Sequence, residues 1–237
     1  LVSVASLLET LGDQTIPVPL VYLKGTQQDD DKVRAVLQSF QAKLTTENPN
    51  SNFNILELSG DVFNNYVKRH HFSKSILYKV ILPKAFSHLE HIVLFDCGMI
   101  FGKALHNFLV WLDNSIISNE ISTIAAFCPP SNQSDGLDQE LQTIEHNSKY
   151  PTGGTLYFKV KSYIESSVYE RLLSIFQSYR EKLIYAEQDL MCLTLRDGEL
   201  SAFPELGLRC HIDMTGPLPW ENTKTYLIAY KFPQLYS

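Results

Sequence analysis

The chain has 237 residues, enough for one large α/β domain or two small ones with a core that needs neither disulfides nor metals. Apolar residues make up 44% and charged residues 19%, which reads as globular, and four cysteines are too few for a disulfide scaffold. With 20 basic against 26 acidic residues, net charge −6, a nucleic-acid or anionic-membrane surface is not expected, and no run approaches the ~20 apolar residues of a membrane-spanning helix.

The chain begins at Leu1 without Met, and its apolar start through Leu8 lacks the basic flank and cleavage site of a signal peptide. A trimmed start is the simpler expectation, with any targeting segment or membrane anchor lying upstream. The first strand signal is Pro19 to Lys24, ended by Gly25. Gln27 to Leu44 follows as a helix, with Val33, Val36, Leu37, Phe40 and Leu44 at helical spacing and Asp29-Asp30-Asp31 at the positive end of its dipole. Phe53 to Leu58 is a second strand, so the opening segment reads strand, helix, strand, the unit that builds parallel sheets.

Ser73 to Ala85 reads as a helix tightened near Pro83. Ile92-Val93-Leu94-Phe95 is a continuous apolar strand, as expected where both sheet faces are covered, and it stops at Asp96-Cys97-Gly98. Lys103 to Leu112 reads as helix and Ile121 to Cys128 as strand. Pro129 to Thr152 is a long polar connection, read as a lid, binding loop or disordered stretch, and carries the acceptor triplet Asn132-Gln133-Ser134. Thr155 to Val160 is a strand, Glu165 to Tyr179 an amphipathic helix, Glu187 to Leu195 a shorter helix, and Leu208 to Ile212 a last strand. The tail after Gly216 is expected to lie over the core.

Three places could carry chemistry. Asp96 stands at the carboxyl end of an apolar strand, where open α/β sheets place ligands and where a carboxylate can hold a divalent cation; it equally suits a plain turn. Glu187-Gln188-Asp189 opens a helix, either as a site or as an ordinary acidic helix start. His211 begins the stretch that runs through Gly216 to Trp220. The other histidines show no ligand spacing, and no CxxC pair, GxGxxG, GxxxxGK[ST] or GxSxG is present, which excludes the common zinc, dinucleotide, P-loop and serine-hydrolase signatures. Cys97 is expected as a buried thiol, and Cys192 and Cys210 could be bridged or not.

The order of these parts resembles glycosyltransferase family 8, retaining sugar-nucleotide enzymes with a GT-A fold. Leu77-Tyr78-Lys79-Val80-Ile81-Leu82-Pro83 followed by His91 to Gly98 looks like the family's basic-residue-to-LP helix and its "VIYLDxD" strand. Thr152-Gly153-Gly154-Thr155-Leu156-Tyr157-Phe158 looks like "FNSGV", Glu187-Gln188-Asp189-Leu190 like "DQD", and His211 to Trp220 like the closing "HxxGxxKPW". Within the family, the stretch from Leu82 to Asp96 and Ser167-Val168-Tyr169 look closest to the xyloside xylosyltransferase type.

The resemblance implies an α/β, Rossmann-like mixed sheet with helices on both faces, forming one GT-A-like domain over residues 1–237. Residues 1–95 would be the nucleotide-binding half, and residues 96–237 would carry the active site and acceptor side. It implies Asp96 and His211 as ligands of Mn²⁺, and Lys79, Asp96, Gly216 and Tyr22 as donor contacts, Tyr22 within the uridine floor formed by Val21 to Gly25. Gln188 and Asp189 would line the reaction centre. The implied activity is transfer of a sugar from a UDP-sugar to a glycan or glycoprotein acceptor, in the lumen of the Golgi or endoplasmic reticulum.

The chain also departs from the pattern. Gly98 replaces the second carboxylate of DxD, Leu218 replaces the Lys of KPW, Thr152 or Gly153 stands for the Asn of "FNSG", and the spacing back from Gly216 places the late ligand on Asp213 rather than His211. Each lost electrostatic group ordinarily costs ~10²–10³ in rate. The alternative expectation is therefore a catalytically inactive GT-A-like domain acting as a scaffold, beside a partner transferase.

Overall fold

A computed structural model describes residues 6–7, 18–23, 27–47, 53–58, 62–63, 65, 74–95, 104–127, 137–144, 150–151 and 154–203. The opening unit is as expected. Strand β1 (Val18–Leu23) pairs in parallel with β2 (Phe53–Leu58), Val18 opposite Phe53 and Leu23 opposite Leu58, and helix α1 (Gln27–Glu47) makes the crossover. On α1, Leu37 is buried and Phe40 half-buried, but Val36 is 55% exposed. Adjacent residues on a helix point about 100° apart, so Leu37 takes the inner face and its neighbour does not.

The second sheet is mixed, in the order β3-β5-β4-β6. Strand β5 (Thr155–Lys159) lies antiparallel to both β3 (His91–Phe95) and β4 (Ile124–Ala126), while β6 (Leu200–Ala202) runs parallel to β4. Ile92, Leu94, Ile124, Ala126, Leu156 and Phe158 face the main core. On the alternate positions, Phe95 and Phe127 meet Phe108, and Phe127 also meets Trp111 and Phe203. Phe108 and Trp111 come from helix α3 (Ala104–Ile117). Burial on both parities of these strands means that both faces of the sheet are covered, which is why β3 reads as an unbroken apolar run.

Several elements differ from the sequence reading. The helix α3 continues to Ile117, and the strand read over Ile121 to Cys128 is only β4. The helix read over Glu165 to Tyr179 is two: α4 (Val160–Glu165) and α5 (Val168–Tyr179), separated where Ser167 turns left-handed at φ 53°. The expected inner face of α5 holds, with Val168, Leu172 and Phe176 buried. Within the long polar connection, Leu137, Leu141 and Tyr150 are buried in the main core, and Leu141–Thr143 forms a short 3₁₀ turn. The strand read at Leu208 to Ile212, the tail and Asn132 lie outside the described residues.

The segment read as a helix from Ser73 is a 3₁₀ helix over Lys74–Ile81, passing into a short α2 (Leu82–Ala85). Pro83 accounts for part of its bonding. In a 3₁₀ helix the Val80 carbonyl would accept from residue 83, and proline has no N–H to give. The hydroxyl of Tyr163, from α4, donates to that carbonyl at 2.5 Å instead. Burial pushes the Tyr163 hydroxyl well above the ordinary phenol range, so it stays protonated and able to donate.

At the start of β3, His91 Nδ1 lies 2.7 Å from the hydroxyl of Tyr157 on β5. Burial lowers the His91 pKa below 6.5, opposed by Glu90. The folded state therefore binds fewer protons than the unfolded chain just below pH 6.5, and stability from this group is lost as pH falls through that window. The expected result is that the stability advantage of the native chain over His91→Gln shrinks as pH falls from 7.5 to 5. Urea unfolding of both chains at each pH checks it; an advantage that is constant with pH contradicts it.

Candidate active site

The buried charged side chains among the described residues, Lys79, Glu187 and Asp189, converge on one helix start. Helix α6 (Glu187–Thr194) packs against α5 and the 3₁₀ helix. Its first three residues are Glu187, Gln188 and Asp189, and the two acids are each held by partners within the protein. Lys79, from the last turn of the 3₁₀ helix, places its ammonium 3.0 Å from Glu187 Oε1, and both residues are only 2% exposed. The pair joins segments 108 residues apart. Removing two charges from water costs several kcal/mol per ion, so the geometry and packing around the pair must compensate.

Asp189 is fully buried and uses both carboxylate oxygens. Oδ2 accepts from the backbone N–H groups of Ile184 at 2.5 Å and Tyr185 at 2.8 Å, and Oδ1 accepts from the hydroxyl of Tyr150. Burial raises the carboxyl pKa, while these three hydrogen bonds pull it down. The Tyr150 hydroxyl is likewise pushed well above its usual range, by burial first and then by the charge of Asp189, so it remains a donor. Between the two anchored acids and the preceding loop sits Ala186, fully buried, at φ 46° and ψ −104°. A side chain rarely adopts that conformation, and strain of this kind persists only where surrounding contacts over-determine it. Here the carboxylate of Asp189 pins the loop ahead of Ala186, and Lys79 pins Glu187 directly after it.

Gln188 is the member left half-buried, its backbone N–H bonded to Tyr185 O at 3.0 Å. The far end of α6 is held by Arg171 of α5, which donates to the Thr194 carbonyl at 3.2 Å and to Glu199 Oε2 at 2.5 Å. Cys192, in the middle of α6, is a buried thiol.

The structure thus brings together Lys79, Gln188 and Asp189. Glu187, read with Gln188 and Asp189 as part of the same helix start, is there too, and the structure adds Tyr150, which the sequence reading did not single out. Tyr22 lies in β1, opposite Glu57 of β2. Asp96, His211 and Gly216 lie outside the described residues, as do Gly98, Asp213 and Leu218. The carboxyl end of β3, which Asp96 follows in sequence, lies beside the amino end of β5, where Phe95 pairs with Thr155. Among the described residues no group of three or more His, Cys, Asp or Glu side chains is placed to hold a metal ion, and no helix is long and apolar enough to cross a membrane.

Comparison with known proteins gives the family and the fold type. The profile of Glycosyl transferase family 8 matches residues 1–205, so the chain belongs to glycosyltransferase family 8. No curated protein sequence matches the chain. Among solved structures, the galactosyltransferase LgtC in complex with donor and acceptor sugar analogs aligns at TM-score 0.61 with 14% identity, over 85% of this chain and 67% of that one. An active-site glutamine-to-glutamate mutant of LgtC aligns at TM-score 0.60 with 14% identity, over 85% and 66%. Mouse xyloside xylosyltransferase 1, in its apo form, aligns at TM-score 0.53 with 12% identity, over 81% and 73%. The chain therefore spans about two-thirds of the length of the LgtC chains. The fold is of the GT-A glycosyltransferase type, and a family 8 chain is a glycosyltransferase.

Proposed function

We propose that the chain is a retaining glycosyltransferase that moves a sugar from a UDP-sugar to a glycan or glycoprotein acceptor in the secretory-pathway lumen, the Golgi or endoplasmic reticulum. The observation that carries this reading is the α6 start, where Glu187 and Asp189 are buried on internal partners and Gln188, between them, is half-buried. A residue whose backbone follows a strained turn held from both sides suits a group that must be in place before reaction. In LgtC the mutated active-site residue is also a glutamine.

In the proposed reaction the bond from the sugar's anomeric carbon to the diphosphate oxygen breaks, and a bond from an acceptor hydroxyl to the same face of that carbon forms. The hydroxyl proton leaves with the diphosphate. Positive charge gathers on the sugar ring, and the carbonyl oxygen of the Gln188 amide stabilises it. Lys79 and Glu187 set the field beneath the site, and Asp189 fixes the helix start. Tyr22 lines the nucleoside side, and Gly216 lets the backbone approach the diphosphate.

Asp96 and His211 offer the carboxylate oxygen and imidazole nitrogen that suit Mn²⁺, and so few protein donors leave coordination positions for the diphosphate. Bound there, the cation would neutralise charge on the departing diphosphate. The reading is tested by calorimetric titration of UDP into the protein with and without Mn²⁺. Micromolar-range binding that strengthens with Mn²⁺ and is lost in Asp96→Asn is expected. No UDP binding in either buffer would overturn it.

A further inference from the structure

We propose that Tyr150 is a positioning residue for the reaction centre: its hydroxyl holds the Asp189 carboxylate, which in turn holds the strained turn that aims Gln188. This deepens the function proposed above and rests on its assignment of Gln188. Three observations carry the inference. The Tyr150 hydroxyl donates to Asp189 Oδ1, leaving Oδ2 to the N–H groups of Ile184 and Tyr185. Those two N–H groups belong to the loop that leads directly into Ala186, whose positive φ of 46° sets the direction in which α6 starts. Tyr150 itself is only 4% exposed and is packed in the main core, so its hydroxyl is held in place rather than searching.

The consequence is specific to orientation. Without the Tyr150 hydroxyl, Oδ1 is a buried carboxylate oxygen that has lost its donor, and the group gains by turning toward other donors. Rotation of the carboxylate loosens its grip on Ile184 and Tyr185, and Ala186 can then relax from its strained conformation. Gln188, two residues further on, moves with the helix start. A displacement near 1 Å at a reaction centre can cost up to about a hundredfold in rate. The main core, built from apolar packing, is left in place, and the sugar-nucleotide affinity with it.

The test compares the native chain with Tyr150→Phe, which removes one oxygen and keeps the ring. Turnover of UDP-glucose, UDP-galactose and UDP-xylose is measured with UDP titration and the side-chain amide resonance of Gln188, assigned by its loss in Gln188→Glu. Expected are a kcat lower by about 10–100-fold, a donor KM and a UDP Kd changed by less than about twofold, and a displaced Gln188 resonance. An unchanged kcat overturns the proposal. So does a loss of kcat that only tracks a loss of folded protein in thermal melts. Should Tyr150→Phe fold poorly, Asp189→Asn breaks the same clip from the other side and must displace the same resonance. If the native chain turns over none of the three donors, the donor assignment is what fails. The Gln188 resonance then decides alone, and an unmoved one overturns the positioning role.

Discussion

Lys79→Met is expected to cost about 3–5 kcal/mol of folding stability, the largest single loss foreseen in the chain. The reason is not the strength of the Lys79–Glu187 attraction. Both groups are only 2% exposed, so removing the ammonium leaves the Glu187 carboxylate buried without its counter-charge. The double variant Lys79→Met/Glu187→Met removes both charges and should recover most of the loss, because well-packed apolar replacements of a buried pair are often neutral or stabilising. Urea denaturation of the two single variants and the double variant measures the coupling. A loss in the double variant equal to the sum of the two single losses would mean that the two groups do not depend on each other.

Gln188→Ala is expected to leave the fold almost untouched and to lower kcat by about 10²–10³, with donor KM nearly unchanged. Gln188 is half-buried, and the anchors of the α6 start lie on its neighbours instead. Its loss therefore falls on the reaction rather than on stability. Steady-state kinetics alongside a thermal melt separates the two. A melting point lowered in step with kcat would place Gln188 among the structural residues, with Asp189.

The contrast between Gln188 and Asp189 was not legible in the sequence, where the two are adjacent and share a motif. What separates them is long-range: Tyr150 reaches Asp189 across 39 residues, and Lys79 reaches Glu187 across 108. Tyr150 falls near the end of the polar connection read as a lid, binding loop or disordered stretch, and nothing local marks it as buried. Lys79 could be singled out only through the motif it resembles, since a lysine in an apolar segment has no periodic signature of a partner.

The frame was easier to read. β1, α1 and β2 show clear periodicity changes, and β3 is apolar from Ile92 to Phe95 because both sheet faces are covered. β6 was missed because three residues, Leu-Ser-Ala, carry no pattern; its place comes from pairing with β4. The 3₁₀ character of Lys74–Ile81 was hidden because periods of 3.0 and 3.6 differ little over eight residues, although Pro83 signalled a tightening.

Donor turnover followed by proton magnetic resonance tests the central claim most directly. The protein, with Mn²⁺, is incubated with UDP-glucose, UDP-galactose and UDP-xylose, and the released sugar is observed before it mutarotates. The account predicts cleavage of at least one donor, a first-formed sugar with the donor's own anomeric configuration, and loss of that cleavage in Gln188→Ala. An inverted first product, or no cleavage of any donor by a protein that binds UDP, would contradict it.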